Sequence, residues 1–226
     1  MSKINILRSN RKSVSGRVLP DGSIEIRAPL FMTTDEINKC IEKFKPKLLP
    51  IVEQYRKINS EHPFGYGGEV LFLGKWMPII AAEDNNSGCM AQFKDGAVVM
   101  KPNLSEDEMR HHIKVLFYAQ AKPIFEEKLS YFSKLMGVCY KTWTVGNARK
   151  RHGSCDSNGK IILSWRIIMM SESVIDCIVV HELAHLRQMN HSKAFYNEIA
   201  AVLPDWKERK KAHGEYALML RCGGWL

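Results

Sequence analysis

The chain has 226 residues, enough for one large domain or two small ones, and 45% of them are hydrophobic and 25% charged. That is the balance of an ordinary globular protein and excludes a disordered or collagen-like one. Lys and Arg outnumber Asp and Glu by 33 to 24, a formal charge of +9, which suits an anionic partner such as nucleic acid or a phosphorylated substrate but is equally met by solvated helix faces.

No run approaches the roughly 18 to 20 apolar residues of a membrane span. The opening MSKINILRSN lacks the apolar centre of a secretory signal. Six cysteines without a C-x-x-C pair argue against a disulfide framework or a Cys-based zinc site, so the cytoplasm is the expected compartment.

Residues 14–18 and 23–28 alternate apolar and polar around Pro20-Asp21-Gly22, which predicts a hairpin. Thr33 to Glu36 read as a capping box, and Ile37, Ile41 and Phe44 recur at helical spacing. Pro46 and Pro50 predict a kink or two shorter helices ending near Ser60. After a loop at 62–68, four short strands are expected at 69–73, 76–82, 89–94 and 97–101, with turn residues between them, 84–88 included. Past Pro102 a second capping box, Ser105 to Glu108, opens a helical stretch to about Met136 with a bend at Pro123.

A strand at 138–145 follows, then a basic segment and the turn Asp156-Ser157-Asn158-Gly159, across which a strand at 160–168 pairs back. Ser173 to Asp176 resemble a third capping box and open a helix that is apolar nearly all round, which predicts burial. Ser192 caps another helix to about Leu203, and a last one runs from about Asp205 to Arg221. The expected fold class is α+β: an N-terminal β-rich region with a helical insertion, 1–102, packed on a C-terminal domain, 103–226.

The buried helix contains His181-Glu182-Leu183-Ala184-His185. Two imidazoles and a carboxyl are costly to bury without a purpose, and their spacing supplies one. Residues four apart lie about 40° round a helix and one turn along it, so both rings reach one point. Such a pair delivers two of the ligands a zinc ion takes, and Glu182, beside the metal rather than on it, is placed to take a proton from a water that the metal activates.

A hydrolytic zinc site needs a third protein ligand. On a continuous helix His191 would lie about 15 Å along the axis from His181, so the helix must stop between them. Asn190 suits the left-handed residue that ends it, and Ser192 starts the next helix. His191 in that corner is the leading third ligand, with Glu198, Glu208 or Glu215 as alternatives.

Cys177 reads as core, and His111 and His112 as surface residues of a long helix. Arg151, His152, Tyr196 and His213 are candidates to donate a hydrogen bond to a tetrahedral oxyanion or to contact substrate. Residues 160–168 could serve as the edge strand that holds an extended peptide. Arg149, Lys150 and Arg151 are expected near the cleft, and Arg209, Lys210 and Lys211 on a surface apart from it.

The HELAH segment followed by Met189-Asn190-His191-Ser192-Lys193-Ala194-Phe195 resembles the YgjP-like metallopeptidase family, zincins related to the SprT-like and WLM proteases. Arg151-His152-Gly153-Ser154-Cys155, then 159–166, the N-terminal hairpin from Arg11 to Pro29, and 71–75 extend the resemblance over most of the chain. It implies a zincin-like metallopeptidase domain at 103–226 with an HExxH active-site helix, a single Zn2+ on His181, His185 and His191, and Glu182 as catalytic acid/base. In two places the sequence departs from the family: His152 stands where Trp is usual and Ser164 where Asn is usual. The metzincins share the three-His spacing, but their Gly between the second and third His is Gln188 here.

The favoured function is a zinc-dependent metallopeptidase acting on peptides or proteins. The alternatives are a nucleoside triphosphate pyrophosphatase with the same metal site and a DNA-associated protein whose zinc site is incidental.

Overall fold

The computed structural model describes residues 3–83 and 89–226; the turn expected at 84–88 lies outside them. Two compact units emerge, Met1–Pro63 with Ala217–Leu226, and Phe64–Tyr216. Among the described residues the fold is mixed, with five α-helices and three small sheets.

In the first unit, β1 (Ile4–Ser9), β2 (Ser15–Val18) and β3 (Ile24–Pro29) form a sheet ordered β1-β3-β2. The expected hairpin is β2–β3, turned at Gly22, whose φ of 76° favours glycine. Strand β1, parallel to β3, was not anticipated: Ile4, Ile6 and Leu7 give too little alternation in a run exposed from Ile6 onward.

Helix α1 (Thr34–Glu61) begins at the expected Thr33–Glu36 capping box but runs unbroken through Pro46 and Pro50. Both prolines are exposed, so the carbonyls deprived of an N–H partner can be hydrated. The opposite face, with Ile37, Ile41 and Val52, is clamped on Ile24, Ile26 and Ala28 of β3.

The second unit opens with β4 (Glu69–Phe72), β5 (Lys75–Ala81), β6 (Ala91–Lys94) and β7 (Ala97–Met100), ordered β4-β5-β7-β6, followed by α2 (Glu106–Met136). Phe72 and Phe93 pack against Phe117 of α2, with ring centroids 5.1 and 6.0 Å away. These strands therefore share a core with the helix, and the chain divides at Pro63, not near residue 102. Exposed Pro123 does not interrupt α2 either.

The third sheet contains β8 (Thr142–Gly146), β9 (Gly153–Cys155) and β10 (Lys160–Ser164), ordered β8-β10-β9. The partner of β10 across the 156–159 turn is the three-residue β9, while β8 lies parallel on its other side. So β10 is central rather than an edge strand, and the chain leaves it at Ser164 for a buried 3-10 turn, Trp165–Met169.

Helix α3 (Glu172–Ala184) starts at Ser171 with no side-chain cap, two residues before the box expected at Ser173. It is buried through Val174, Ile175, Val179, Val180 and Leu183, as its composition requires. Ser192 caps α4 (Lys193–Val202) by accepting from the Phe195 N–H at 3.4 Å, and α5 (Trp206–Cys222) closes the chain.

Candidate active site

His181 and Glu182 occupy the last turn of α3, and His185 is its C-terminal capping residue with φ −63° and ψ −21°. The helix therefore ends at Ala184, six residues before Asn190, which does not take the left-handed conformation expected of it. Tight turns do the work instead: Leu186 N–H donates to Leu183 O at 3.0 Å, and Arg187 and Gln188 N–H both donate to Ala184 O. The chain bends back through this corner before Ser192 starts α4.

The corner returns His191 to the helix end. Its Nε2 lies 3.1 Å from Nε2 of His181, and one ligand nitrogen from each of His181, His185 and His191 falls within 4.8 Å of the others. The ring centroids are 4.9–5.0 Å apart. Phe195, fully buried on α4, sits 4.6–4.9 Å from all three rings and forms their floor.

His185 Nδ1 lies 3.1 Å from the carbonyl of Gln188. A carbonyl only accepts, so Nδ1 carries the proton and Nε2 presents its lone pair. Burial, and then the neighbouring imidazoles, push the pKa of His181 down to about 4; burial also lowers that of His185, against the pull of the Gln188 carbonyl. Both rings are thus neutral at pH 7, the form that binds a cation. These donors fit a borderline-soft divalent ion such as zinc.

Glu182 is 5% exposed, and burial pushes its carboxyl up to about 7 against the attraction of Arg151. Its neighbour is Gly153 of β9: a Cβ there would stand 2.7 Å from both Cγ and Cδ of Glu182. The missing side chain is the space the carboxyl fills.

The backbone of β9 has a second consequence. Ser164 N–H donates to His152 O at 2.8 Å, so pairs 152/164 and 154/162 are the hydrogen-bonded ones. In an antiparallel ladder the alternate residues turn their N–H and C=O outward. Those of Gly153 and Cys155 therefore face the free edge of the sheet.

A cleft of about 340 Å³ opens beside His181 and Glu182. Arg151, His152, Tyr196 and His213, the four contact candidates, all line it, with His213 Nε2 2.6 Å from His152 Nδ1. Cys177 lines it as well, half-buried rather than part of a closed core. Lys210 joins Lys150 and Arg151 on the lining, so it does not belong to a surface apart from the site, whereas Arg209 and Lys211 lie off the lining. Glu198 is bound to Arg187 at 2.7 Å and takes no part in the histidine cluster. His111 and His112 lie on α2, exposed and half-buried, outside the cluster and the cleft lining.

The profile of the YgjP-like metallopeptidase domain matches residues 12–212. The chain belongs to the YgjP-like family. No curated protein matches it. Among solved structures, the metallopeptidase zymogen of Pyrococcus abyssi abylysin is 22% identical, with a TM-score of 0.39 over 43% of this chain and 95% of that one, too slight a likeness to bear on the fold.

In this YgjP-like chain, then, the three histidines and Glu182 named from the sequence stand together. Lys150 and Arg151 line the cleft as expected, whereas Phe195, Gly153 and Lys210 were not singled out for the site. Phe195 and Gly153 were visible only as part of family-like segments, and the roles of all three depend on neighbours distant in sequence. A buried aromatic two residues into a helix, or a glycine in a short strand, carries no chemical signal of its own.

Proposed function

We propose that the chain is a zinc-dependent peptidase with His181, His185 and His191 as metal ligands and Glu182 as general base. The observation that carries this reading is the convergence of three imidazoles on one point, with a buried carboxyl beside the first of them. Zinc held by three imidazoles supplies a Lewis acid for a peptide carbonyl and makes nearby water more acidic.

The chain's own residues supply the rest. Glu182 takes the proton of the attacking water on its carboxylate and returns it to the leaving amine; a carboxyl with a pKa of about 7 is matched to both transfers near neutral pH. The Gln188 carbonyl holds the tautomer of His185. The outward main-chain groups of Gly153 and Cys155 suit an extended peptide lying antiparallel along β9, which takes the role expected of 160–168. Arg151, His152, Tyr196 and His213 line the cleft and are the groups from which an oxyanion donor is drawn.

The test pairs metal analysis with turnover. Wild-type protein should carry a single zinc per chain and cleave peptides. Glu182→Gln should keep the zinc while turnover falls by roughly 10²–10⁴-fold. A Glu182→Gln protein hydrolysing at the wild-type rate would end the general-base role, and undiminished zinc in His191→Ala would remove that ligand.

A further inference from the structure

The lining of the cleft is unbalanced in charge. Lys150, Arg151 and Lys210 contribute three cations, and the single carboxyl on the lining, Glu182, is buried in the wall. Among the described residues none of the three cations pairs with a carboxylate. Their neighbours behave differently: Arg209, adjacent to Lys210, binds Asp205 at 2.9 Å and Asp176 at 3.5 Å, and Lys128 binds Asp176 at 2.7 Å. Local acids thus neutralise Arg209 and Lys128, which lie off the lining, and leave the three cations on it without an ion pair.

Lys210 is also held in place. Its ammonium lies 5.3 Å from the Tyr196 ring centroid and 5.8 Å from that of Trp206. Those two rings stack 4.9 Å apart as a ledge of the cleft. Ile178 and Ile199 add apolar wall beside it. An aliphatic stem can lie on this wall with its charged end at the cations.

We propose that the cleft is a specificity subsite for an acidic side chain, Asp or Glu, flanking the scissile bond of a peptide substrate, with Arg151 and Lys210 as its charge partners. The proposal rests on the peptidase reading above. A peptide is favoured over a nucleotide because the site combines the cations with an apolar wall and with outward main-chain groups on β9, which match an extended backbone.

The experiment uses the zinc-loaded full chain and a peptide series identical but for one position next to the cleaved bond, occupied by Glu, Gln or Lys. Wild-type kcat/KM should favour Glu over Gln by up to about tenfold, the scale of two exposed ion pairs, and the gap should narrow at high salt. Lys210→Glu should abolish or invert the preference, and Lys210→Met should reduce it. Lys211→Glu, an equal charge change on an exposed residue outside the lining, should leave it intact. Anisotropy of labelled peptides on Glu182→Gln protein should show the same order of affinities without turnover.

Equal cleavage of all three peptides, or equal loss in Lys211→Glu and Lys210→Glu, overturns the subsite and leaves the peptidase reading standing. Refusal of every peptide with hydrolysis of nucleoside triphosphates overturns both.

Discussion

At the scale of single residues, the site depends as much on an absent side chain as on those present. Glu182 occupies the space where Gly153 would carry a Cβ, so Gly153→Ala must displace the carboxyl. A misplacement of about 1 Å at a reacting group costs on the order of 10²-fold in rate. Gly153→Ala should therefore lower kcat by about 10–100-fold while zinc content holds, because the atoms nearest that position belong to Glu182 and not to a histidine; steady-state kinetics with metal analysis will show it. Wild-type kcat in this variant would deny Gly153 its positioning role. The HExxH spacing told where Glu182 stands relative to His181, since one helix settles both. Nothing in the spacing told which backbone would leave room for it.

Helix ends and strand edges decide more of the site than helix interiors do. Helix α3 stops at Ala184 and the chain folds back through residues 185–192, which lets His191 meet His181. The ring of Phe195, delivered by the first turn of α4, then supports all three imidazoles. Phe195→Leu keeps most of the volume but loses the flat floor. It should cost about 1–1.5 kcal/mol of stability and weaken zinc by roughly 10-fold, as loss of a supporting group does, measured by thermal unfolding and chelator competition. Undiminished zinc affinity would make Phe195 ordinary core.

The edge strand β9 offers a second test at this scale. The Cys155 N–H points away from the ladder, so proline there removes no sheet hydrogen bond. Cys155→Pro should leave zinc bound and raise KM for peptides several-fold by taking away one outward donor. An unchanged KM would argue against substrate pairing along β9.

For the whole molecule, the two compact units have separate cores, and a carboxylate in the first gives it a pH signature. Glu25 on β3 is 7% exposed and accepts from Arg17 and Arg27 at 2.7 Å each. The hydrogen bond from Arg17, and then that from Arg27, hold its carboxyl below the usual range against the effect of burial. A carboxyl lowered in the folded state adds stability above its unfolded value, near 4.5, and loses it as pH falls through the folded one. Glu25→Gln should cost about 1 kcal/mol or less at pH 7, since both guanidinium groups are roughly half exposed. The difference from wild type should vanish in strong acid. A Glu25→Gln penalty that does not shrink on acidification, followed by denaturant unfolding at several pH values, would contradict this assignment.

What the sequence determined by itself was whatever short-range geometry controls. The i, i+4 histidines share a face because α-helices have 3.6 residues per turn. The capping boxes at Thr33 and Ser105 start helices because their hydrogen bonds span three residues, and the hairpin at Gly22 closes over a turn. Where long-range packing competed with a local rule, packing prevailed: Pro46, Pro50 and Pro123 sit inside continuous helices whose opposite faces are buried. Only the tertiary structure made β10 a central strand, brought β9 to Glu182 and carried Lys210 from α5 to the same cleft as Arg151. Those neighbours meet because residues 59 positions apart are joined by a core, and no periodicity in a single chain records which of its elements share one.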